Sequence, residues 1–311
     1  MFKVKNMYGL NNIPLYRRVV RKVLFVTAPL WGDEIFLKFF YWANMGIFLN
    51  LKNPQTFTEK IQWLKIHSRD ILLTSLVDKY AAKKYVSDII GDEYIIPTLG
   101  VWNNPDEIDF DALPNQFVLK VTHDSGGICI CRNKETFNRN EAVTKLKNAL
   151  KKNFYAITRE WPYKNVPRRI IAETYMEDNL YQNSPNLIDY KFYCFNGNPT
   201  FCQVIRDRGE KETIDFYDMN WSHLPFVGLN PFASNGIVPV KKPSLFPEMK
   251  QIAKILSSSY PFSRIDLYFI NGKIYFGEIT FFPASGYGKF SPYKWDKELG
   301  DLIQLPLNAD M

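Results

Sequence analysis

The chain has 311 residues, of which 46% are hydrophobic and 23% are charged, and its formal net charge is +7. This length and composition are typical of one large or two small globular domains, and they exclude a mainly disordered, collagen-like or disulfide-scaffold protein. Because no uncharged apolar stretch reaches about 18 residues, we expect no membrane-spanning segment.

The first 55 residues are expected to form an N-terminal helical part. Basic residues at 17, 18, 21 and 22 precede two aromatic-rich apolar blocks, 23–31 and 36–51. Such a segment either packs its apolar side on the rest of the fold or lies at an anionic membrane surface. The block 23–31 lacks the features of a secretory signal, so we expect a cytoplasmic protein, with the inner face of the membrane as the alternative location.

Two helices are predicted between residues 56 and 91. Thr56 and Glu59 have the spacing of a capping box, which predicts a helix start at this point. A second helix is predicted to run through Leu76 and Tyr85 and to end near Gly91.

From residue 117 the pattern indicates strands. Residues 117–122 and 128–132 predict a hairpin around His123–Gly127, followed by a helix at 140–152. The further predicted elements are strands at 169–174, 190–195 and 200–205, a helix at 247–258, and a hairpin at 264–280 around Asn271-Gly272. The predicted class is α+β with largely antiparallel pairing.

The cysteines lack metal-binding spacing. Cys129 and Cys131 alternate along a predicted strand and should share one face, and no C-x-x-C pair occurs. We expect Cys129, Cys131, Cys194 and Cys202 to be reduced, partly buried thiols.

The last hairpin carries the strongest group of chemical residues. Arg264 and Asp266 share a face of its first strand, and Glu278 and Thr280 share a face of its second. A strict two-residue turn would place Asp266 opposite Gly277 and send Glu278 to the other side, whereas a bulge would bring both acids together. We predict the bulge, because two carboxylates and a hydroxyl then form an oxygen site suited to Mg²⁺. The alternative is that these carboxylates face water.

A second group lies around the first predicted hairpin. Lys120 sits within an apolar strand that leads into H-D-S-G-G, whose backbone N–H groups can enclose phosphate oxygens. An ordinary Gly-Gly turn is the alternative. The loop is not a Walker A sequence, and no Rossmann fingerprint occurs.

A third group combines Asp189 and Lys191 on one strand face with Arg206 at the end of the partner strand. An acid with two cations can bind a ribose hydroxyl and a polyphosphate, or it can be an ion pair on a wet sheet.

Other sites are not indicated. The three histidines are scattered, no G-x-S-x-G elbow occurs, and one D-x-D sequence, Asp109–Asp111, lies in an acidic stretch that suggests a solvated loop. No nucleic-acid-binding signature occurs, so nucleic acid is not an expected partner.

Together these motifs resemble an ATP-grasp enzyme, and more closely the TupA-like ATP-grasp family of surface-polysaccharide gene clusters. The resemblance lies in N-P-Q-T-F-T-E-K-I-Q-W-L-K, L-V-D-K-Y, L-P-N-Q-F-V-L-K, D-Y-K-F-Y-C-F-N-G and G-E-I-T-F-F-P-A-S-G, and it covers roughly residues 50 to 300. It implies two mainly antiparallel α+β subdomains that clamp ATP. The implied parts are an N-terminal helical part (1–55), an N-terminal region (56–115), a small subdomain with the glycine-rich loop (116–175) and a C-terminal subdomain with the metal site (176–311).

The resemblance also implies residue roles. Lys79 and Lys120 would contact ATP phosphates under a loop of Ser125, Gly126 and Gly127. Glu173 to Met176 would receive adenine, and Asp189 would lie near the ribose. The remaining roles are phosphoryl contacts from Lys191 and Arg206, charge stabilisation by Arg264, and Mg²⁺ binding by Asp266, Glu278 and Thr280. ATP-grasp ligases usually have Asn where this chain has Thr280, so a hydroxyl replaces an amide carbonyl as the third ligand.

The implied reaction is ATP- and Mg²⁺-dependent joining of an amine to a carboxylate through an acylphosphate. The expected substrate is an anionic small molecule or polysaccharide precursor, such as a sugar carboxylate. A kinase acting on a sugar hydroxyl, a glycosyltransferase of capsule synthesis and a non-enzymatic binding module are the alternatives.

Overall fold

The computed structural model describes residues 13–124, 126–179, 186–207, 212–229 and 234–306. The helices are α1 (Leu15–Val26), α2 (Asp33–Met45), α3 (Phe57–His67), α4 (Leu72–Val77), α5 (Ala81–Ile90), α6 (Arg139–Leu150), α7 (Phe154–Thr158), α8 (Phe246–Ser257) and α9 (Lys294–Leu302). The strands are β1 (Thr98–Trp102), β2 (Phe117–Val121), β3 (Ile128–Cys131), β4 (Ile170–Thr174), β5 (Asp189–Phe195), β6 (Asn198–Arg206), β7 (Thr213–Asp218), β8 (Val227–Gly228), β9 (Phe262–Ile270), β10 (Lys273–Thr280) and β11 (Phe290–Ser291).

The strands form two main antiparallel sheets. The small sheet has the order β1-β4-β2-β3, and the large sheet has the order β10-β9-β5-β6-β7. A two-stranded pair joins β11 to β8. The predicted α+β class with antiparallel pairing is confirmed. Strand β1 was not predicted, and it adds residues from the range 56–115 to the small sheet.

Each sheet has its own apolar core. The small sheet packs Phe117, Leu119 and Ile170 against Leu146 of α6. The large sheet packs aromatic and aliphatic residues against α8 and α3, as at Phe192. A third core lies between α1 and α2, which confirms the helical character of the described part of 1–55.

Local signals set the start of α3. Thr56 Oγ1 accepts from the Glu59 backbone N–H at 3.2 Å, and Glu59 Oε2 accepts from the Thr56 N–H at 3.1 Å. This reciprocal pair satisfies two otherwise free helix N–H groups and confirms the predicted capping box.

The helix predicted to run through Leu76 and Tyr85 is instead broken after Val77. Asp78 leaves the helix and caps α5 by accepting from the Tyr80 N–H at 2.9 Å, while the Lys79 N–H donates to Thr122 O at 3.3 Å. The break directs Lys79 away from the helix surface and toward the small sheet.

The four cysteines are buried and unpaired. Along β3 the two cysteines face inward and the two isoleucines outward, which confirms that Cys129 and Cys131 share a face. The described helices include none with the length and apolarity needed to cross a membrane.

Candidate functional site

Two rows of polar side chains cross one face of the large sheet. In the first row, Lys191 on β5 lies opposite Asp266 on β9, which lies opposite Glu278 on β10. Opposed residues of an antiparallel ladder project to the same face. The neighbouring row consists of Tyr193, Arg264 and Thr280. We call Lys191, Arg264, Asp266, Glu278 and Thr280 the acid–base cluster.

A β-bulge creates this alignment. The turn at Asn271-Gly272 keeps Lys273 opposite Ile270, but the register shifts by one residue between Phe276 and Glu278. Gly277 is the extra residue, and a Cβ there would approach Asp266 O to 3.0 Å. The predicted bulge is confirmed, and it brings Glu278 to the face that carries Asp266.

Arg264 is the centre of the acid–base cluster. Its Nε donates to Asp266 Oδ1 at 2.6 Å and its Nη2 to Asp266 Oδ2 at 2.8 Å. The same Nη2 lies 2.8 Å from Glu278 Oε1 and 3.0 Å from Thr280 Oγ1. Lys191 pairs with Asp266 and lies 3.4 Å from Asp189 Oδ1. The predicted residues of this sheet face, Arg206 excepted, are therefore brought together.

The two clustered acids differ in environment. Burial raises the pKa of Asp266, although Arg264 and Lys191 oppose this effect. Desolvation also acts on Glu278, but the charges of Arg264, Lys191 and Lys79 hold its pKa well below its usual range. The Glu278 side chain is 41% exposed, so an anionic oxygen is presented to the space in front of the sheet.

Lys79 links the two sheets electrostatically. Burial lowers its pKa, while Glu278 of the large sheet and Glu173 of the small sheet favour its charged form. Its Nζ donates to Asp124 O at 2.6 Å. The charge of Lys120 also lowers the pKa of Lys79, which indicates that the two lysines predicted to bind phosphate lie near each other.

Glu173 holds two lysines on the small sheet. It pairs with Lys120 and, at 2.5 Å, with Lys83. Burial alone would raise its pKa, but these two cations lower it. After β4 the chain passes half-buried Met176 and reaches the large sheet, where Asn271 Nδ2 donates to Glu177 O at 2.9 Å. The adenine role of this segment remains a prediction.

The glycine-rich loop closes the β2–β3 hairpin. Gly127 has φ +67°, a left-handed conformation that favours glycine, and Asp124 pairs with Lys152 at 2.7 Å. Gly126 is within the described residues, whereas Ser125 lies outside them. The phosphate role of this loop remains a prediction.

The placement expected for Arg206 requires correction. Lys191 is paired with Gln203, so alternation along β6 puts Arg206 on the opposite face of the sheet. There it donates to Asp215 Oδ2 at 3.0 Å and to Val238 O at 2.8 Å. Arg206 therefore does not join Lys191 in the acid–base cluster.

A buried pair next to the cluster was not predicted. Lys65 donates to Thr158 O at 2.8 Å, to Ser285 O at 2.8 Å and to Ser285 Oγ at 2.9 Å. Glu160 interacts with Lys65, Ser285, Glu278 and Arg264. Burial lowers the pKa of Lys65 to about 7 and raises the pKa of Glu160 to about 7, and each charge opposes the other's shift.

This pair supports a strained turn that follows β10. Ala284 and Ser285 have positive φ values of 48° and 52°, which non-glycine residues adopt at a cost of about 1–3 kcal/mol each. Gln62 Nε2 donates to Ser285 O and to Gly286 O, both at 3.0 Å. Lys65 lies on a helix that was predicted from the sequence. Nothing in the sequence, however, distinguishes a buried lysine on this helix from an exposed one.

The oxygen donors of the acid–base cluster fit Mg²⁺. Asp266, Glu278 and Thr280 supply two carboxylates and a hydroxyl on the neighbouring strands β9 and β10. Thr280 Oγ1 lies 3.1 Å from Glu278 Oε1. No group of three or more acidic, histidine or cysteine side chains suited to a metal is found in the described residues. Mg²⁺ sites in proteins commonly use one or two carboxylates, with phosphate and water oxygens completing the shell.

The D-x-D sequence forms a local turn. Asp109 Oδ1 accepts from the Asp111 N–H at 3.0 Å, and Asp111 pairs with Arg139 at 2.6 Å on the surface. This agrees with the solvated loop suggested by the sequence.

A family model described as TupA-like ATPgrasp matches residues 59–304. The chain belongs to the TupA-like ATP-grasp family. This confirms the resemblance given by the sequence motifs and the fold that it implies. A comparison with curated proteins gives no match.

Solved structures show more distant similarity. The D-alanine–D-alanine ligase of Bacillus anthracis is 16% identical with a TM-score of 0.41, over 73% of this chain and 65% of that one. The D-alanine–D-alanine ligase of Helicobacter pylori is 15% identical with a TM-score of 0.38, over 74% and 61%. The biotin carboxylase domain of Hydrogenobacter thermophilus 2-oxoglutarate carboxylase is 16% identical with a TM-score of 0.38, over 88% and 52%. The chain thus spans about half to two thirds of the length of these structures.

Proposed function

We propose that this ATP-grasp protein is an ATP- and Mg²⁺-dependent carboxylate–amine ligase that works through an acylphosphate. The observation that carries the proposal is the acid–base cluster on one face of the large sheet, together with the mutual electrostatic effect of Lys79 and Glu278. Cations and oxygen ligands on facing surfaces suit the polyphosphate of ATP.

The chemistry follows from what the described side chains can do. A carboxylate is a poor acyl donor because its oxygen is a bad leaving group, and transfer of the γ-phosphoryl group creates a good one. The amine then attacks the acyl carbon and releases inorganic phosphate. Positioning and charge neutralisation are the main requirements of such a transfer. Bound Mg²⁺ would neutralise phosphate charge beside Asp266 and Glu278, while Lys191 and Arg264 bind anionic oxygens.

The proposed substrate is a carboxylate of a sugar or related polysaccharide precursor, joined to an amino acid or other amine. The link with surface-polysaccharide gene clusters that the resemblance implies supports this substrate class. We propose a cytoplasmic location for the reaction, where ATP is available.

Trapping with hydroxylamine tests the reaction type. Protein, ATP, Mg²⁺ and a uronic acid are incubated with hydroxylamine, and hydroxamate is measured. The ligase is expected to form hydroxamate and release ADP in equal amounts. A stable phosphorylated sugar formed without any amine would instead establish a kinase, and consumption of a sugar nucleotide without ATP would establish a glycosyltransferase. Either result would overturn the proposal.

Nucleotide binding depends on Lys79 in this proposal. Replacing Lys79 by methionine is expected to weaken Mg²⁺–ADP binding at least about 10-fold, because a buried charge-assisted contact to phosphate is lost. Calorimetric titration measures the effect. Lys84→Met is the matched control, since Lys84 lies on α5 and pairs with Asp88 on the surface. Equal affinity in the two variants would remove Lys79 from the nucleotide site.

A further inference from the structure

The hairpin of helices α1 and α2 presents an apolar surface to solvent. On α1, Leu15, Val19, Val23 and Val26 follow one stripe and are 52–73% exposed. The opposite side of α1 contributes Leu24 to the core with α2. A helix that already packs one side on its neighbour has no need of this second apolar stripe for folding.

Aromatic rings extend this surface across α2. The Trp42 ring centroid lies 6.1 Å from that of Tyr16 on α1 and 6.4 Å from that of Phe48, which is 81% exposed. Trp31 and Phe39 form a second pair at 6.2 Å. We call these five residues together with the α1 stripe the aromatic face. Rings of this type favour the headgroup level of a bilayer.

The charge of this region is of one sign. The first 32 residues contain six basic and no acidic residues, which is nearly the whole net charge of +7. Arg18 and Lys22, one helical turn apart, are exposed beside the stripe on α1. The first acidic residues, Asp33 and Glu34, are paired with Arg69 and Lys38. An anionic surface is therefore complementary to this region, whereas a second copy of the same face would repel it.

The hairpin is fixed to the body of the protein. Asp33 accepts from Tyr155 Oη at 2.8 Å, and the Arg159 guanidinium stacks 4.4 Å from the centroid of the Phe36 ring. Tyr41 Oη lies 2.8 Å from Thr58 Oγ1. The aromatic face is thus held in place before any partner binds, which reduces the entropy lost on binding.

We infer that the aromatic face of α1 and α2 docks on an anionic lipid bilayer, with its rings at headgroup depth and Arg18 and Lys22 against the lipid phosphates. The family match begins at residue 59, so the hairpin lies outside it. Docking would hold the acid–base cluster near the membrane surface, because Phe40 contacts Tyr287 just after the strained turn of β10.

Vesicle cosedimentation of the full chain tests the inference. Vesicles of phosphatidylcholine alone are compared with vesicles that contain about 30% phosphatidylglycerol, at about 50 mM and about 500 mM salt. We expect binding to the anionic vesicles that weakens at high salt. Absence of binding to anionic vesicles at low salt would overturn the inference.

Two double variants separate the apolar and charge contributions. Phe39→Ser with Phe48→Ser, and Arg18→Glu with Lys22→Glu, are each expected to weaken vesicle binding about 10-fold or more. The matched controls are Ile89→Ser with Ile255→Ser, which are 42% and 41% exposed, and Lys250→Glu with Lys254→Glu, which keep the same four-residue spacing on α8. The controls should bind as the unaltered chain does. A melting temperature equal to that of the unaltered chain verifies that each variant is folded.

Two other occupants of the aromatic face, a second copy of the chain and a segment of the chain itself, would give different results. A dimer in analytical ultracentrifugation that the Phe39/Phe48 variant abolishes would assign the face to a second copy and overturn the inference. Vesicle binding that appears only after removal of residues 1–12 would show that the chain itself covers the face, with the same consequence.

Discussion

Replacing Glu278 by glutamine is expected to lower ATP-dependent turnover at least about 100-fold while the fold persists. The amide keeps the size of the side chain and can still accept from Arg264, but it removes the exposed anion that the structure presents beside Asp266. Steady-state release of ADP at several Mg²⁺ concentrations measures the loss.

Thr280→Asn is the matched control for that variant. Asparagine stands at this place in most ATP-grasp ligases, and its carbonyl oxygen can replace the hydroxyl that lies 3.1 Å from Glu278 Oε1. We expect this variant to stay within a few-fold of the unaltered enzyme. Turnover of Glu278→Gln at the level of Thr280→Asn would remove Glu278 from the metal site.

Lys65→Met is expected to lower the free energy of unfolding by about 2–3 kcal/mol, because a buried cation that favours the ionised form of Glu160 is lost. The change also removes the donor to Thr158 O and Ser285 O. Chemical denaturation at fixed pH measures the difference.

The same variant should have a characteristic pH dependence. A glutamate whose pKa is raised in the folded state holds its proton there while the unfolded chain has lost it, so stability falls as pH rises above about 4.5. Burial raises the pKa of Glu160 to about 7 even with Lys65 present. Without Lys65 that pKa rises further, so both chains lose stability alike up to about pH 7, and the penalty of Lys65→Met should grow above about pH 7, where Glu160 ionises in the unaltered chain alone.

Two further variants test this explanation. Lys65→Met with Glu160→Gln should remove the pH-dependent part of the loss, since no buried acid remains to titrate. Lys60→Met on the same helix should cost about 1 kcal/mol with little change between about pH 5 and pH 8, because Lys60 donates to Ile303 O at 2.9 Å and lies far from Glu160's contacts. A pH-independent penalty in Lys65→Met would contradict the role given to Glu160.

Local patterns predicted much of the fold. Asn-Gly turns, alternating strands and the capping box at Thr56 depend on neighbouring residues, and the structure reproduces them. Strand β1 escaped prediction because T-L-G-V-W is only half-buried and contains Gly100, which weakens the strand signal. The helix break at Asp78 was not predicted because its causes are distant in sequence. Thr122 O accepts from the Lys79 N–H, and Arg169 pairs with Asp78.

In the candidate site, too, the features with local causes could be predicted and those that depend on distant residues could not. The acid–base cluster could be predicted because strand alternation and a glycine at the right position determine which side chains share a face. Arg206 was misplaced because its predicted role ignored the strand alternation relative to Lys191, which the observed register makes plain. Lys83 and Glu160 could not be found from the sequence, since only the approach of distant elements buries them beside Glu173 and Lys65.

The bulge at Gly277 leaves the strand pairing before it unchanged, but it determines that Glu278 lies on the same face as Asp266. Upstream of it, β10 pairs with β9 in the register set by a two-residue turn, and that pairing needs no extra residue. A relative with the same number of residues but regular pairing at this point could keep all five strands and yet turn its glutamate toward the helix-covered side. The glutamate therefore identifies a competent homologue only together with a residue before it that permits the bulge, as Gly277 does here, where a Cβ would lie 3.0 Å from Asp266 O.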